Sequence, residues 1–429
     1  MSDAEPTVVA RYSRQVNDAF ARLLGADAGA RLFVRARDVR LWDAAGKEYL
    51  DGIAGPGTAM LGHNHPRMVE RVRKFLGEDA PNVRSAGMPP GADELAGSLA
   101  RASGGRLDAC LFACRAADAL DAAQRLAREV TGRPAILTVR SVPLSGSFPV
   151  PFGDAPAFGK AFEIAPVAAL IVETIPVEAG VLLPPEGYLA QAQEACRRRG
   201  ALLISDETRL GMGRTGTLFA CTAEKVMPDV LVIGESLGGA IAPLAAALTR
   251  RELREKAGSA VDAHGPALAG LALGCAAGLE TLAVLEQEKL AENAAVRGRE
   301  LLEGLRAKLA GHSLVKGVRG RGLLVAVELG PSGEGLVSTY APFLVEAMSE
   351  RVFGQCVALR LFERGIVCRP AAQQGNVLLI EPPLVVSSAD VDRFVRTLAE
   401  VLDEYQGVGP LVVDVAARLA DRFRKAWGF

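Results

Sequence analysis

The chain has 429 residues, 49% of them hydrophobic and 23% charged, which excludes one small domain and a disordered polymer and suits a large α/β unit with a smaller companion. Its 49 basic and 50 acidic residues leave a formal charge of -1, so no broad attraction to nucleic acid or to an anionic membrane is expected. Only nine of the basic residues are lysine (Lys47, Lys74, Lys160, Lys225, Lys256, Lys289, Lys308, Lys316 and Lys425), which bounds any mechanism that needs a reactive amine.

From the N-terminus, Met1 to Arg14 carries Asp3, Glu5, Arg11 and Arg14 with no apolar run, and does not read as a secretory signal. Residues 31–50 read as short strands around an Asp43-Ala44-Ala45-Gly46 turn, and residues 66–76 as a helix. From Asp108 the pattern becomes apolar bursts alternating with amphipathic helices. Strands are predicted over 110–113, 135–139, 168–173, 201–206 and 230–234, and helices over 116–130 and 185–199. Such alternation predicts a mostly parallel sheet covered on both faces, with ligands at the carboxyl ends of its strands. A long helix over 271–309, broken near Lys289, leads to a strand over 319–329, a helical insertion over 338–364, a hairpin-like stretch over 366–384 and an amphipathic helix over 388–404. The expected division is an N-terminal segment (1–60) shared with the small domain, a large domain (61–305), a small α+β domain (306–405) and a helical extension (406–429).

The most apolar window, residues 230–249, is interrupted by Glu235, Ser236, Gly238 and Gly239, so no membrane helix is expected. The seven cysteines are odd in number and contain no Cys-x-x-Cys, which favours free thiols in a reducing, cytoplasmic compartment over disulfides or zinc. His63 and His65 share a turn, His264 and His312 stand alone, and no metal site is expected. The run Arg197-Arg198-Arg199 reads as a solvated helix end that suits the helix dipole.

Several segments in fixed order resemble the class III (ornithine, putrescine and ω-amino acid type) aminotransferases, which are fold-type I pyridoxal-phosphate enzymes. They are Leu41-Trp42-Asp43 through Asp51, Gly62-His63-Asn64-His65-Pro66, Ile171-Val172-Glu173 through Glu178-Ala179-Gly180, Asp206-Glu207 through Gly213-Arg214-Thr215-Gly216, Pro228-Asp229 through Ser236-Leu237-Gly238-Gly239, His264-Gly265 and Arg319-Gly320-Arg321-Gly322. The run Ile380-Glu381-Pro382-Pro383-Leu384 looks most like the putrescine-type branch. The resemblance implies a large domain with a mostly parallel sheet, a small domain built from both chain ends, and a homodimer.

It also implies a lysine immediately before the Ser-Leu-Gly-Gly turn, which forms a Schiff base with the cofactor aldehyde and shuttles a proton. Here that position is Glu235, and a carboxylate cannot form an imine. None of the nine lysines is expected at a strand end where it would substitute. The family's phosphate-binding turn at a helix N-terminus matches Cys114-Arg115-Ala116-Ala117-Asp118-Ala119. The stretch that would carry an aromatic-His pair for ring stacking is shortened to residues 140–152. Ala267 stands at the position of a phosphate-binding Thr, Arg209 at that of a Gln beside the cofactor ring, and Leu379 at that of the carboxylate-binding Arg. The partner of the pyridinium nitrogen, Asp206, is retained, as are Glu178, Arg214 and His264.

The pocket is therefore expected to be lined by Arg115, Ala116, Glu178, Asp206, Arg209, Glu235 and His264. In one reading these charges pair among themselves, Arg115 with Asp206 and Arg209 with Glu235. In the other, Glu235 and Asp206 are acid/base groups in a repurposed enzyme, and Arg115 or Arg209 holds an anionic group of a small anionic or amine-bearing metabolite. A non-catalytic pseudoenzyme, or a subunit partnering an active paralogue, is the alternative. A third reading keeps residual transaminase activity with a noncovalent cofactor. The expectation for the cofactor is none held covalently, with pyridoxal phosphate only a weak noncovalent ligand.

Overall fold

The protein was analysed as a computed structural model that describes residues 33–80, 89–142, 144–259, 271–330 and 342–405. The expected helix over 411–429, His264 and Ala267 lie outside these residues.

Three short strands come first: β1 (Phe33–Arg37), β2 (Arg40–Asp43) and β3 (Glu48–Asp51). They form an antiparallel meander, and the β2–β3 turn uses Gly46 at φ +80°, a conformation glycine adopts without steric cost. The strand β13 (Ile366–Val367), from the C-terminal part of the chain, joins its edge in parallel to β3.

The central sheet has seven strands: β4 (Ala109–Ala113), β5 (Ala135–Val139), β6 (Phe148–Pro149), β7 (Val167–Glu173), β8 (Leu202–Asp206), β9 (Val230–Ile233) and β10 (Ala245–Thr249). Their order across the sheet is β4-β10-β9-β8-β7-β5-β6. From β9 to β6 the neighbours are parallel, and only β10 runs antiparallel, to both β9 and β4. Every residue of β5, β7, β8 and β9 is buried, because helices cover both faces. One is the Ala-rich helix Ala116–Thr131, which buries Leu120, Leu126 and Val130 and stops at the left-handed Gly132. The carboxyl ends of β4, β5, β7, β8 and β9 all lie at one edge of the sheet, where this topology collects ligand-binding groups.

The expected long helix is two, Leu271–Gln287 and Leu290–Lys308, broken at Lys289 (φ +51°). The predicted single strand over 319–329 is instead a hairpin of β11 (Val315–Arg321) and β12 (Leu324–Leu329). Gly322, at φ +57°, turns the chain there, and a Cβ on it would clash with the Arg214 carbonyl oxygen. The hairpin continues into β15 (Val377–Ile380) and β14 (Arg369–Pro370), giving a four-stranded antiparallel sheet in the order β11-β12-β15-β14. The helix Pro342–Glu363 precedes β13, and the helix Ser388–Asp403 closes the described chain behind a capping box of Ser387 and Asp390.

Arg214, fully buried in the loop after β8, ties the seven-stranded sheet to the β11-β12-β15-β14 sheet by donating from Nη1 to the carbonyls of Leu323 (3.1 Å) and Pro382 (2.7 Å). Among the described residues no helix is long and apolar enough to cross a membrane, and no group of His, Cys, Asp and Glu could hold a metal ion.

Candidate active site

Glu235 directly follows β9 and opens a short 3₁₀ turn, Glu235–Gly238. Gly234 before it packs so closely that a Cβ would lie 2.6 Å from the Thr208 carbonyl oxygen, and Gly239 after it packs on Met68 and Thr281. Gly234 thus holds the turn against the segment after β8, and Gly239 holds it against the helices Pro66–Leu76 and Leu271–Gln287. The Glu235 carboxylate reaches across β10, and its Oε1 accepts a hydrogen bond from the backbone N–H of Ala116 at 2.9 Å. Ala116 is the first residue of its helix, where N–H groups lack intrahelical partners and the dipole favours negative charge. Among the described residues, half-buried Glu235 has no arginine within ion-pair distance and its Oε2 makes no hydrogen bond.

Asp206 ends β8 and is 1% exposed. Its Oδ2 accepts from Arg140 Nε at 2.6 Å, and its Oδ1 accepts from the Thr208 N–H (3.0 Å) and hydroxyl (2.7 Å). Arg140 leaves the end of β5, so its side chain spans the end of β7 to reach β8. Glu173 closes β7 in register with Asp206. Burial, with the Asp206 charge adding to it, pushes the Glu173 carboxyl up, against the opposing pull of the Ser141 N–H, the Ser141 hydroxyl and the Val177 N–H.

The second group of charges sits where the antiparallel sheet meets the large one. Arg369 donates to Glu178 through both terminal nitrogens (2.9 and 2.8 Å) and to Glu381 Oε1 at 2.9 Å. Arg209 donates to Glu178 at 2.9 Å, lies 3.5 Å from Glu381 and also donates to the Pro56 carbonyl. The Ala372 N–H adds a bond to Glu178 at 3.0 Å. Burial by itself would raise the Glu178 carboxyl, but the Arg369 fork, with Arg209 and Ala372, outweighs it and holds the group at about 2.

Both expected ion pairs are corrected by this geometry. Arg115 does not meet Asp206: its side chain, 72% exposed, turns back along its own helix and bonds Asp118 at 2.8 and 3.1 Å. An i,i+3 carboxylate is simply nearer than one across the sheet. Arg209 does not meet Glu235, because Glu178 and Glu381 already surround it. The site instead brings together Glu235 with Ala116, and Asp206 with Arg140. Arg140, Arg369, Glu381 and Glu173 are site residues to which the sequence reading gives no pocket role. Leu379 is a wholly buried core residue of β15, and Arg369, its ladder partner on β14, supplies the guanidinium there. A signal for it was available: Arg369 is the one basic residue of the segment 366–384, and a half-buried guanidinium there has to find a carboxylate.

The family model for class III aminotransferases matches residues 25–142 and 160–402. Aminotransferase PigE of Serratia sp. is 28% identical; the match covers 92% of this chain but 53% of that protein, so the chain spans about half its length. Putrescine aminotransferase of Pectobacterium atrosepticum is 30% identical, with 90% of this chain and 85% of that protein covered. Among solved structures, the ornithine aminotransferase of Toxoplasma gondii, described with partial occupancy of pyridoxal phosphate at its active site, superposes with a TM-score of 0.76 at 28% identity, covering 88% of this chain and 91% of that one. These findings overturn the expectation of a site with no covalent cofactor and at most weakly held pyridoxal phosphate, because the relatives are pyridoxal-phosphate aminotransferases, which typically bind that cofactor covalently. With the family model covering most of its length, the chain belongs to the class III aminotransferases.

Proposed function

We propose that this class III aminotransferase homologue has lost lysine-dependent transamination, and that its pocket at the carboxyl ends of β5, β8 and β9 serves a small anionic or amine-bearing metabolite. One observation carries this reading. The residue after β9 is Glu235, and its carboxylate is engaged with the first N–H of the helix Ala116–Thr131 rather than with a cation.

Pyridoxal phosphate, the family's cofactor, supplies an electron sink for carbanion chemistry when bound. To admit it, the Arg140 contact with the Asp206 carboxylate and the Glu235 contact with the Ala116 N–H would both have to open. What the chain's own groups do is clearer. Oε2 of half-buried Glu235, without a hydrogen bond among the described residues, is the atom best placed to accept a proton from a ligand or to meet its ammonium. Asp206 accepts three hydrogen bonds from within the chain, so we assign it an orienting role rather than proton transfer. Arg209, Glu178, Arg369 and Glu381 form the wall.

A second reading is favoured by that wall, whose two arginines and two glutamates pair with one another without a ligand: a non-catalytic subunit paired with an active paralogue. Homodimerisation and a cytoplasmic location belong to the same proposal. The test is amino-group transfer to a 2-oxo acid by the purified chain supplied with pyridoxal phosphate. None is expected, and sustained turnover refutes the reading. Selective co-purification with a lysine-bearing paralogue would replace it with the subunit reading.

A further inference from the structure

Four arginines stand in or beside the pocket, and three are committed. Arg209 and Arg369 are spent on Glu178 and Glu381, and Arg115 lies on the surface with Asp118. Arg140 differs. Its Nε is clamped by Asp206 at 2.6 Å and its Nη1 donates to the Val142 carbonyl at 3.1 Å, while its Nη2 makes no hydrogen bond among the described residues. The side chain is only 12% exposed, yet Nη2 is not among the buried polar atoms without a partner, so it faces accessible space. Asp206 is itself fixed by two bonds from Thr208, so the clamp is rigid. A guanidinium oriented by a buried carboxylate, with a donor left over, is preorganised for an oxyanion.

We propose that Arg140 is the specificity-determining residue of this pocket, that Asp206 positions it, and that the ligand carries a carboxylate. A phosphate dianion suits the site less well, because the helix N–H at Ala116 is already used by Glu235, whose own charge lies in the same pocket. The inference rests on the proposed reading only in requiring a pocket that binds a small molecule. It narrows "anionic or amine-bearing" to carboxylate-bearing.

Two four-carbon probes of opposite charge separate the possibilities: succinate and 1,4-diaminobutane, titrated calorimetrically into the purified full chain. Saturable succinate binding is expected, weakened about tenfold to a hundredfold in Arg140→Gln by loss of charge-assisted hydrogen bonding. Arg140→Lys keeps the charge without the planar fork; it is expected to bind between the two and serves if the Gln variant folds poorly. In an Asp206→Asn background the Arg and Lys forms are expected to bind succinate alike, an effect that a merely structural Asp206 would not produce. Succinate affinity within about twofold of wild type in Arg140→Gln, or binding of 1,4-diaminobutane without succinate, overturns the proposal. Turnover in the amino-transfer assay is read separately, so failure of the broader reading is distinguishable from failure of this one.

Discussion

The two charged regions of this molecule are built from the same residue types and behave differently. At the junction of the sheets, Arg209, Arg369, Glu178 and Glu381 neutralise one another, each arginine facing both carboxylates within 3.5 Å. At the carboxyl ends of β5, β8 and β9, one ion pair, Arg140–Asp206, stands apart from a carboxylate, Glu235, held by a single backbone N–H. The first region is largely buried and its ions pair with one another, although Glu381 Oε2 and Arg369 Nε are left without a hydrogen bond among the described residues. In the second, the unused donor (Arg140 Nη2) and acceptor (Glu235 Oε2) are not among the buried unpartnered atoms of the described residues, so a ligand can reach them. A pocket's residue composition therefore says less about function than how its charges are divided.

The largest expected effect comes from breaking the self-paired region. Arg369→Ala leaves Glu178 and the fully buried Glu381 with Arg209 alone, and should cost about 3–5 kcal/mol, read by chemical denaturation. The same region sets an acid limit. Because the folded-state Glu178 carboxyl is held at about 2, below its usual 4.5, its contribution is present above about pH 4.5 and lost as the pH falls toward 2. Glu178→Gln should flatten the stability profile across that window, and an unchanged acid limb would show that Glu178 does not set it.

The open region should give smaller numbers. Asp206→Asn removes the anionic partner of a largely buried guanidinium and is expected to destabilise by about 1–3 kcal/mol. Glu235→Ala removes one helix-capping acceptor and should cost about 1 kcal/mol, measured as a shift in denaturation midpoint. A loss from Glu235→Ala as large as that from Arg369→Ala would mean that Glu235 belongs to the self-paired region after all. The smallest effect is predicted for Arg115→Ala: no measurable change in melting temperature or in ligand binding, since its side chain is mostly in water.

Much of the fold was legible because the central strands are apolar bursts at regular intervals: 135–139 coincides with β5, and β7, β8 and β9 differ from the prediction by one residue at one end. Two elements were hidden for physical reasons. β10 is Ala245-Ala246-Ala247-Leu248-Thr249, a composition that favours helix, and it is a strand only because β4 and β9 flank it. The β11–β12 hairpin is masked by Arg319, Gly320, Arg321 and Gly322, whose glycines serve close backbone contacts rather than alternation.

In the site, the positions of Glu235, Asp206 and Glu178 follow from motif order, but their partners do not. Arg140 is 66 residues from Asp206 and Arg369 is 191 from Glu178, separations that only strand order resolves. The Arg115–Asp118 pair is local, so an i,i+3 spacing could have found it, but the sequence reading pairs Arg115 with Asp206 instead.

The central claim is that the carboxylate after β9 has displaced the reactive amine from this fold. It is tested most directly by one measurement: transfer of an amino group from a diamine or amino acid to a 2-oxo acid by the purified protein with pyridoxal phosphate in excess. The account predicts no transfer above the protein-free rate. Catalytic turnover by the unsubstituted chain would contradict it.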